Sequence, residues 1–360
     1  MEPCVPKKLA LSGIRHDERI YSVATHVRQV TRIGSAPLAS WRPIGFGLVR
    51  VLIGGAQRSG TSLLRSIIGS HSRFAFFPYD LRLWTKYWGE SQGRPISLRG
   101  AKELVWRIVS DEKALIADVR PSADEVVQVL SAKYNASWTA SDVFDAFLSS
   151  YAVGRSRASW GLKTPGNEIY AKDILKKWDD AIFFHVIRDP LSVAESVKHA
   201  DGGSWFYDPF RHQNQWRESA QLSRINQDIF PDRYIIVRYE DLVLNPHTVS
   251  RTICAKLGVD YEKDMELGLR QPGWSGSNSS FTKEGSSERS PRKKLPPYLR
   301  NLYLRNLWSE MHALGYSVSS SPPKADFFQR GIELLHRQWL RGMYALLRLK
   351  RKVLTSQQSV

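Results

Sequence analysis

A short apolar run, a pair of glycines and an amphipathic helix, in that order, limit this 360-residue chain more than any other feature. Leu48 to Ile53 is rich in β-branched residues (Val49, Val51, Ile53) and stops at Gly54-Gly55, which predicts a buried strand. Arg50 lies inside that run and needs an edge or a partner. Thr61 to Ser70 follows with Leu63, Leu64, Ile67 and Ile68 at helical spacing. Strand, glycine loop and helix together open a nucleotide-binding α/β unit.

Two more segments repeat the pattern. Ala181 to Ile187 predicts a second buried strand and Pro190 to about His199 its helix, with proline suited to a first helical turn. Tyr234 to Val237 predicts a third strand, leading through Asn245-Pro246 into a helix that ends near Leu257-Gly258. Strands alternating with helices imply an α/β, P-loop-like three-layer fold with a central parallel sheet covered on both faces. Residues 85–155 carry mixed charge and tryptophans without a strand signal, and are expected to form a helical insertion over the sheet. The expected organisation is an N-terminal tail at 1–44, one domain at 45–320 with a long Ser/Gly/Pro-rich loop at 271–297, and a basic amphipathic helix with its tail at 321–360.

Composition narrows the class. Hydrophobic residues make up 42% and charged residues 24%, as in a globular domain. No stretch approaches the roughly 18 apolar residues of a membrane span, and no secretory signal is evident. Cys4 and Cys254 have neither metal-ligand nor framework spacing, so a cytoplasmic setting without a metal is expected. Net charge is +17, from 52 basic against 35 acidic residues, which favours anionic partners. Nucleic acid is not expected among them, because no zinc-finger spacing or aromatic RNA-binding motif occurs.

The loop Gly55 to Ser62 has the spacing G-x-x-x-x-G, with backbone amides and a helix N-terminus aimed at an anion. The position of the usual P-loop lysine holds Thr61, and the positive charge sits at Arg58 instead. That substitution disfavours a P-loop kinase or nucleotide hydrolase, the first alternative. A non-catalytic adaptor on the same fold is the second.

Arg58-Ser59-Gly60-Thr61-Ser62 after a hydrophobic strand resembles the 5′-phosphosulfate loop of sulfotransferases that use 3′-phosphoadenosine 5′-phosphosulfate (PAPS). Three further segments match that family in order. Trp160-Gly161-Leu162-Lys163-Thr164-Pro165 resembles the lysine segment of its tyrosylprotein and bacterial carbohydrate branches. Val186-Ile187-Arg188-Asp189-Pro190, with Ser196, resembles the 3′-phosphate strand and helix. Arg238-Tyr239-Glu240-Asp241-Leu242, then Asn245-Pro246, resembles the Y-E-D-L and N-P segment. The resemblance spans roughly residues 48–316.

It implies an enzyme moving a sulfuryl group from PAPS, as donor substrate, to an acceptor hydroxyl of a carbohydrate or glycolipid, or of a protein tyrosine. It implies donor contacts from Arg58, Ser59, Gly60, Thr61, Ser62, Arg188, Ser196, Tyr239 and Ser280, the last in a loop with Lys283, Arg289, Arg292 and Lys293. Lys163, with Arg58, matches the group that neutralises the leaving phosphate. Asp80 occupies the nearest place to the family's basic glutamate, one methylene shorter. A plain helix cap is the other reading of Asp80, and a local ion pair with Asp189 that of Arg188. His71 and His199 are the alternative bases. Trp84, Trp88, Trp205 and Trp216 are candidates for stacking on a sugar.

From Asp326 to Lys352, Phe328, Ile332, Leu335, Trp339, Met343 and Leu346 recur at helical intervals, and Arg330, Arg337, Arg341 and Arg348 gather on one face. Such a helix is expected either to pack on the protein's own core or to bind an anionic membrane surface, peripheral to the bilayer.

Overall fold

The computed structural model describes residues 47–89, 93–134, 138–200, 207–270 and 294–357. The expected tail at 1–44 lies outside them, as do Cys4, Trp205 and most of the 271–297 loop, including Ser280, Lys283, Arg289, Arg292 and Lys293.

Five parallel strands form one sheet: β1 (Arg50–Gly54), β2 (Phe74–Phe76), β3 (Ser159–Lys163), β4 (Ala181–Ile187) and β5 (Tyr234–Arg238). Their order is β2-β3-β1-β4-β5. In register, Leu52 of β1 stands between Leu162 of β3 and Phe183 of β4. From β1 the chain crosses to β2 at one edge, returns to β3 beside β1, and then passes over to β4 on the other side. The crevice at the carboxyl end of β1 is the switch point where α/β sheets hold their ligands.

Both faces of the sheet are buried, which is why β1 and β4 read as unbroken apolar runs. Val51, Ile53, Phe184 and Val186 pack on one face with Leu64, Ile67 and Ile68 of α1 (Thr61–Gly69). Leu52, Trp160, Leu162 and Phe183 point to the other face, against Trp84, Phe144 and Phe147.

The described residues of 85–155 are mostly helical, as expected. After a π-helical turn at Leu83–Trp88 come α2 (Leu98–Val109), α3 (Glu112–Leu115), α4 (Ala123–Lys133) and α5 (Ala140–Gly154). Ser97 caps α2, and α4 and α5 begin in capping boxes, Ser122 with Glu125 and Thr139 with Asp142. α5 is buried at 13 of its first 13 positions, Ala140 to Ala152, so it is core and not a loose cover.

Beyond β3 lie a 3₁₀ turn (Asn167–Tyr170), α6 (Ala171–Lys177), α7 (Pro190–Ala200) and α8 (Pro209–Ile229). After β5 come α9 (Tyr239–Leu244), α10 (Pro246–Leu257), α11 (Leu267–Arg270), α12 (Pro297–Asn306), α13 (Trp308–Ala313) and α14 (Phe327–Gln357). α8 escapes a periodicity reading because few of its positions are apolar. It starts where Asp208 accepts the amides of Phe210 and Arg211 and Pro209 opens the first turn.

Arg50 sits in the central strand and not at an edge. Its partners are Asp145 and Asp180, at 2.7 and 2.5 Å.

Candidate functional site

The loop after β1 is shaped by two glycines whose backbones only glycine adopts easily. Gly55 has φ +132°, and a Cβ there would lie 2.3 Å from the carbonyl oxygen of Val186. Gly60, at φ +100°, touches Tyr239 so closely that a Cβ would lie 2.2 Å from its ring. Between them Arg58 takes a left-handed φ of 69°, uncommon for a residue with a side chain.

The loop ends on the N-terminus of α1, which has no capping side chain and no acidic residue in its first turn. Its leading amides, with Thr61 and Ser62 at their head, thus carry unsatisfied partial positive charge. Ser59 is 1% exposed, and its hydroxyl has no hydrogen-bond partner among the described residues. A buried hydroxyl in that state is costly unless something fills the loop.

Arg188 follows β4 and is also buried. Its guanidinium lies 4.1 Å above the ring of Tyr239, and Nη1 donates to the carbonyl of Arg58 at 3.1 Å. The side chain of Arg58 turns the same way, its Nε donating to Oγ of Ser196 on α7 at 3.1 Å. Asp189 has its own partners at the start of α7. It caps α7 by accepting the amide of Ser192 at 2.7 Å, and its own amide donates to Glu240 at 2.8 Å. Arg58, Ser59, Gly60, Arg188, Ser196 and Tyr239 thus form one continuous surface.

Lys163 ends β3, with its side chain 5% exposed, and its Nζ is ion-paired to Asp80, which is 42% exposed. Burial pushes the Lys163 ammonium below the ordinary lysine value; Asp80 partly restores it, and nearby Arg65 lowers it further. Arg65, on α1, donates to the carbonyl of Pro78 and so holds the segment leading to Asp80. Asp80 therefore stands opposite Lys163 and caps nothing: the next helical turn opens at Arg82 without a side-chain cap.

Other candidates fall elsewhere. His71 is buried beyond the far end of α1, its Nε2 bonded to the carbonyl of Asp260 at 2.9 Å. The side chain of His199 and all of Ser280 lie outside the described residues. Trp84 is fully buried, edge-on to Phe144 and Trp178, and is core rather than a stacking platform. Trp216 is buried too, with Nε1 donating to the carbonyl of Arg188 at 2.9 Å.

Glu168 is the largest omission of the sequence reading. It is buried, accepting the amide of Gly55 at 2.9 Å on one oxygen and the hydroxyl of Ser219 at 2.7 Å on the other. Behind Ser219 stand His185, at 3.0 Å, and Tyr234, 2.6 Å from the other imidazole nitrogen. Burial lowers the His185 pKa against the opposing pull of Glu168, so the ring is neutral and relays hydrogen bonds. Nothing local marks Glu168, because its partner is 113 residues away.

A P-loop-like turn at the switch point of a parallel sheet, joined to a buried arginine on the next strand, defines an anion-handling α/β protein. The sulfotransferase family model matches residues 50–263, more than half the chain, and the chain belongs to that family. It is a transferase, and the family's donor is PAPS. Among solved structures it is similar to the sulfotransferase domain of the curacin biosynthetic pathway (19% identity, 76% of this chain and 99% of that one, TM-score 0.47). It is also similar to a sulfotransferase from Alicyclobacillus acidocaldarius (15%, 76% and 98%, TM-score 0.39). A third is retinol dehydratase, solved with androsterone and the inactive cofactor PAP (13%, 80% and 78%, TM-score 0.31). No curated protein matches the chain.

Proposed function

We propose that this chain moves a sulfuryl group from PAPS to the hydroxyl of a carbohydrate or glycolipid, with a protein tyrosine as second choice of acceptor. The observation that carries this is the direct junction of the two anion-binding elements. Arg188 bonds the backbone of Arg58, while the Arg58 side chain reaches Ser196. A donor with phosphate groups at both its 3′ and 5′ ends suits such a double cradle.

The residues fit the donor. The unpartnered hydroxyl of Ser59, the amides of Gly60, Thr61 and Ser62 and the start of α1 would hold its 5′-phosphosulfate. Arg188, Ser196 and Arg58 would hold the 3′-phosphate by charge-assisted bonds, and Tyr239 supports Arg188 from below. Ser280, matched to the donor by the resemblance, lies outside the described residues. When bound, the donor supplies an activated sulfuryl group.

Lys163 would hold positive charge where the leaving phosphate develops negative charge; Arg58, the second cation expected there, turns its side chain to Ser196 at the 3′ end instead. Asp80 would accept the acceptor's proton, since its partly exposed carboxylate keeps one oxygen for Lys163 and a face for the incoming hydroxyl. No proposed step calls for a metal ion.

For the acceptor, a cleft of about 490 Å³ runs along α1 past Arg65, Ser66 and Gly69 and is walled by Pro78, Tyr79 and Tyr151; it reaches the segment leading to Asp80, although neither Asp80 nor Lys163 lines it. Aromatic faces mixed with charged hydrogen-bonding groups suit a hydroxyl-rich ring. Trp88, partly buried, is the candidate for stacking that remains among the described residues. A cytoplasmic setting belongs to the same proposal, supported by the spacing of the two cysteines.

The test is thermal unfolding with adenosine 3′,5′-bisphosphate. A hundredfold excess over Kd stabilises by about 2.7 kcal/mol, which raises Tm by several degrees. Arg188→Ala is expected to abolish that rise. The absence of any rise with the intact protein overturns the proposal.

A further inference from the structure

α14 is 31 residues long and uses only part of its circumference on the protein itself. Leu340 is its buried anchor, at 4% exposure. Around it, the hydroxyl of Tyr344 donates to Asp208 at 2.9 Å, and Glu333 is ion-paired with Arg305 of α12. His336 meets Phe210 and Tyr298 edge-on, and Arg337 lies 3.8 Å over Phe210. These contacts fix the helix to the start of α8 and to α12.

A second face is left outside. Phe328, Leu335, Trp339 and Leu346 are 74%, 67%, 41% and 61% exposed. Their spacings of 7, 4 and 7 residues place all four within an arc of about 40°, some 120° away from Leu340. A stripe of this kind accepts either another helix or a hydrocarbon boundary.

Charge decides between them. From Leu334 to Gln357 the sequence holds Arg337, Arg341, Arg348, Lys350, Arg351 and Lys352 and not one acidic residue. A second copy laid along the stripe would set six like charges against six, with only Glu333, already paired with Arg305, to oppose them. A phospholipid surface supplies the opposite sign, and aromatic plus aliphatic residues opposite a basic face suit its headgroup boundary. No helix among the described residues is long and apolar enough to cross a membrane, so α14 would lie on the bilayer and not through it.

We propose that the Phe328-Leu335-Trp339-Leu346 face of α14 docks the protein onto an anionic bilayer surface, to which the net positive charge of the helix draws it. The docked side of the helix stays on α8 and α12 during this contact, so no unfolding is required. The inference stands apart from sulfuryl transfer and holds whatever the acceptor is.

The test is flotation of the full chain with phosphatidylcholine vesicles, with and without phosphatidylserine, at low and high salt. Strong binding to the phosphatidylserine vesicles, weakened by salt, is expected. The variant Leu335→Ser/Trp339→Ser/Leu346→Ser, which spares Leu340 and Tyr344, should lose at least tenfold in bound fraction at unchanged Tm. Should that variant melt early, Lys350→Glu/Arg351→Glu/Lys352→Glu, beyond the docked contacts, gives the same readout. Equal binding to neutral vesicles, or undiminished binding by the variants, overturns the proposal. So does a wild-type dimer that ignores vesicles and that the serine variant turns into a monomer.

Discussion

Lys163→Met is expected to lower kcat for sulfuryl transfer by about 10²- to 10³-fold, the usual loss when one group that stabilises developing charge is removed. The rise in Tm with adenosine 3′,5′-bisphosphate should largely persist, because Arg188, Ser196 and the loop amides do not pass through Lys163. Stability should hold or rise slightly. A buried ammonium is expensive, and its partner Asp80 is exposed enough to be rehydrated. That combination separates a catalytic cation from a structural one. Full activity in the methionine variant would sink the assignment. The pH profile adds a second readout. Burial holds the Lys163 pKa below the ordinary lysine value despite Asp80. Activity that needs the cation should therefore fall with rising pH before about 10.4, the unperturbed lysine pKa. Asp80→Asn removes the partner that raises this pKa, so it should move the alkaline limb lower. As the proposed base, Asp80 should also cost kcat when it becomes asparagine.

Asp145→Ala is expected to cost about 3–5 kcal/mol of stability, the penalty for stranding a buried charge. Asp145 is fully buried and gathers four donors: Arg50 Nε at 2.7 Å, Trp160 Nε1 at 2.8 Å, the Tyr134 hydroxyl at 2.7 Å and Lys133 Nζ at 3.2 Å. Its removal leaves Arg50 inside the central strand with Asp180, whose side chain is 31% exposed, as its remaining ion-pair partner. Asp180→Ala should accordingly cost less. Denaturant midpoints of the two variants check the ranking, and equal midpoints would refute it. The effect also has a pH signature. Burial pulls the Asp145 pKa up, but the bond and charge of Arg50, with Lys133, hold it below the ordinary carboxylate value. A depressed carboxylate contributes its full stability above its unfolded pKa of about 3.9, and loses it as pH falls through the lower folded value. The wild type should therefore lose more stability than Asp145→Asn as pH drops below about 4.

Much of the fold is local enough to be legible in the chain. β1, β4 and β5 are covered on both faces, so each appears as an apolar run with a sharp end. Gly55, Gly60, Pro190, Pro246 and Gly258 carry their backbone roles in their own chemistry. The other two strands do not announce themselves. β2 is three residues long and runs into Phe77-Pro78. β3 contains Gly161 and Lys163, which look like a turn. Gly161 is there because the ring of Phe76 fills the space, 2.4 Å from where a Cβ would be. Trp84 reads equally well as a platform or as core, and only its neighbours choose.

By itself, the sequence determined where an anion-binding turn falls, which strands are buried and which family's order of motifs the chain follows. Each of these depends on residues close together along the backbone. Tertiary structure alone decided that Asp80 faces Lys163, that Arg58 turns to Ser196 and that Glu168 holds Gly55. These pairs are 83, 138 and 113 residues apart. Their meeting depends on strand order at the switch point, which no local pattern encodes.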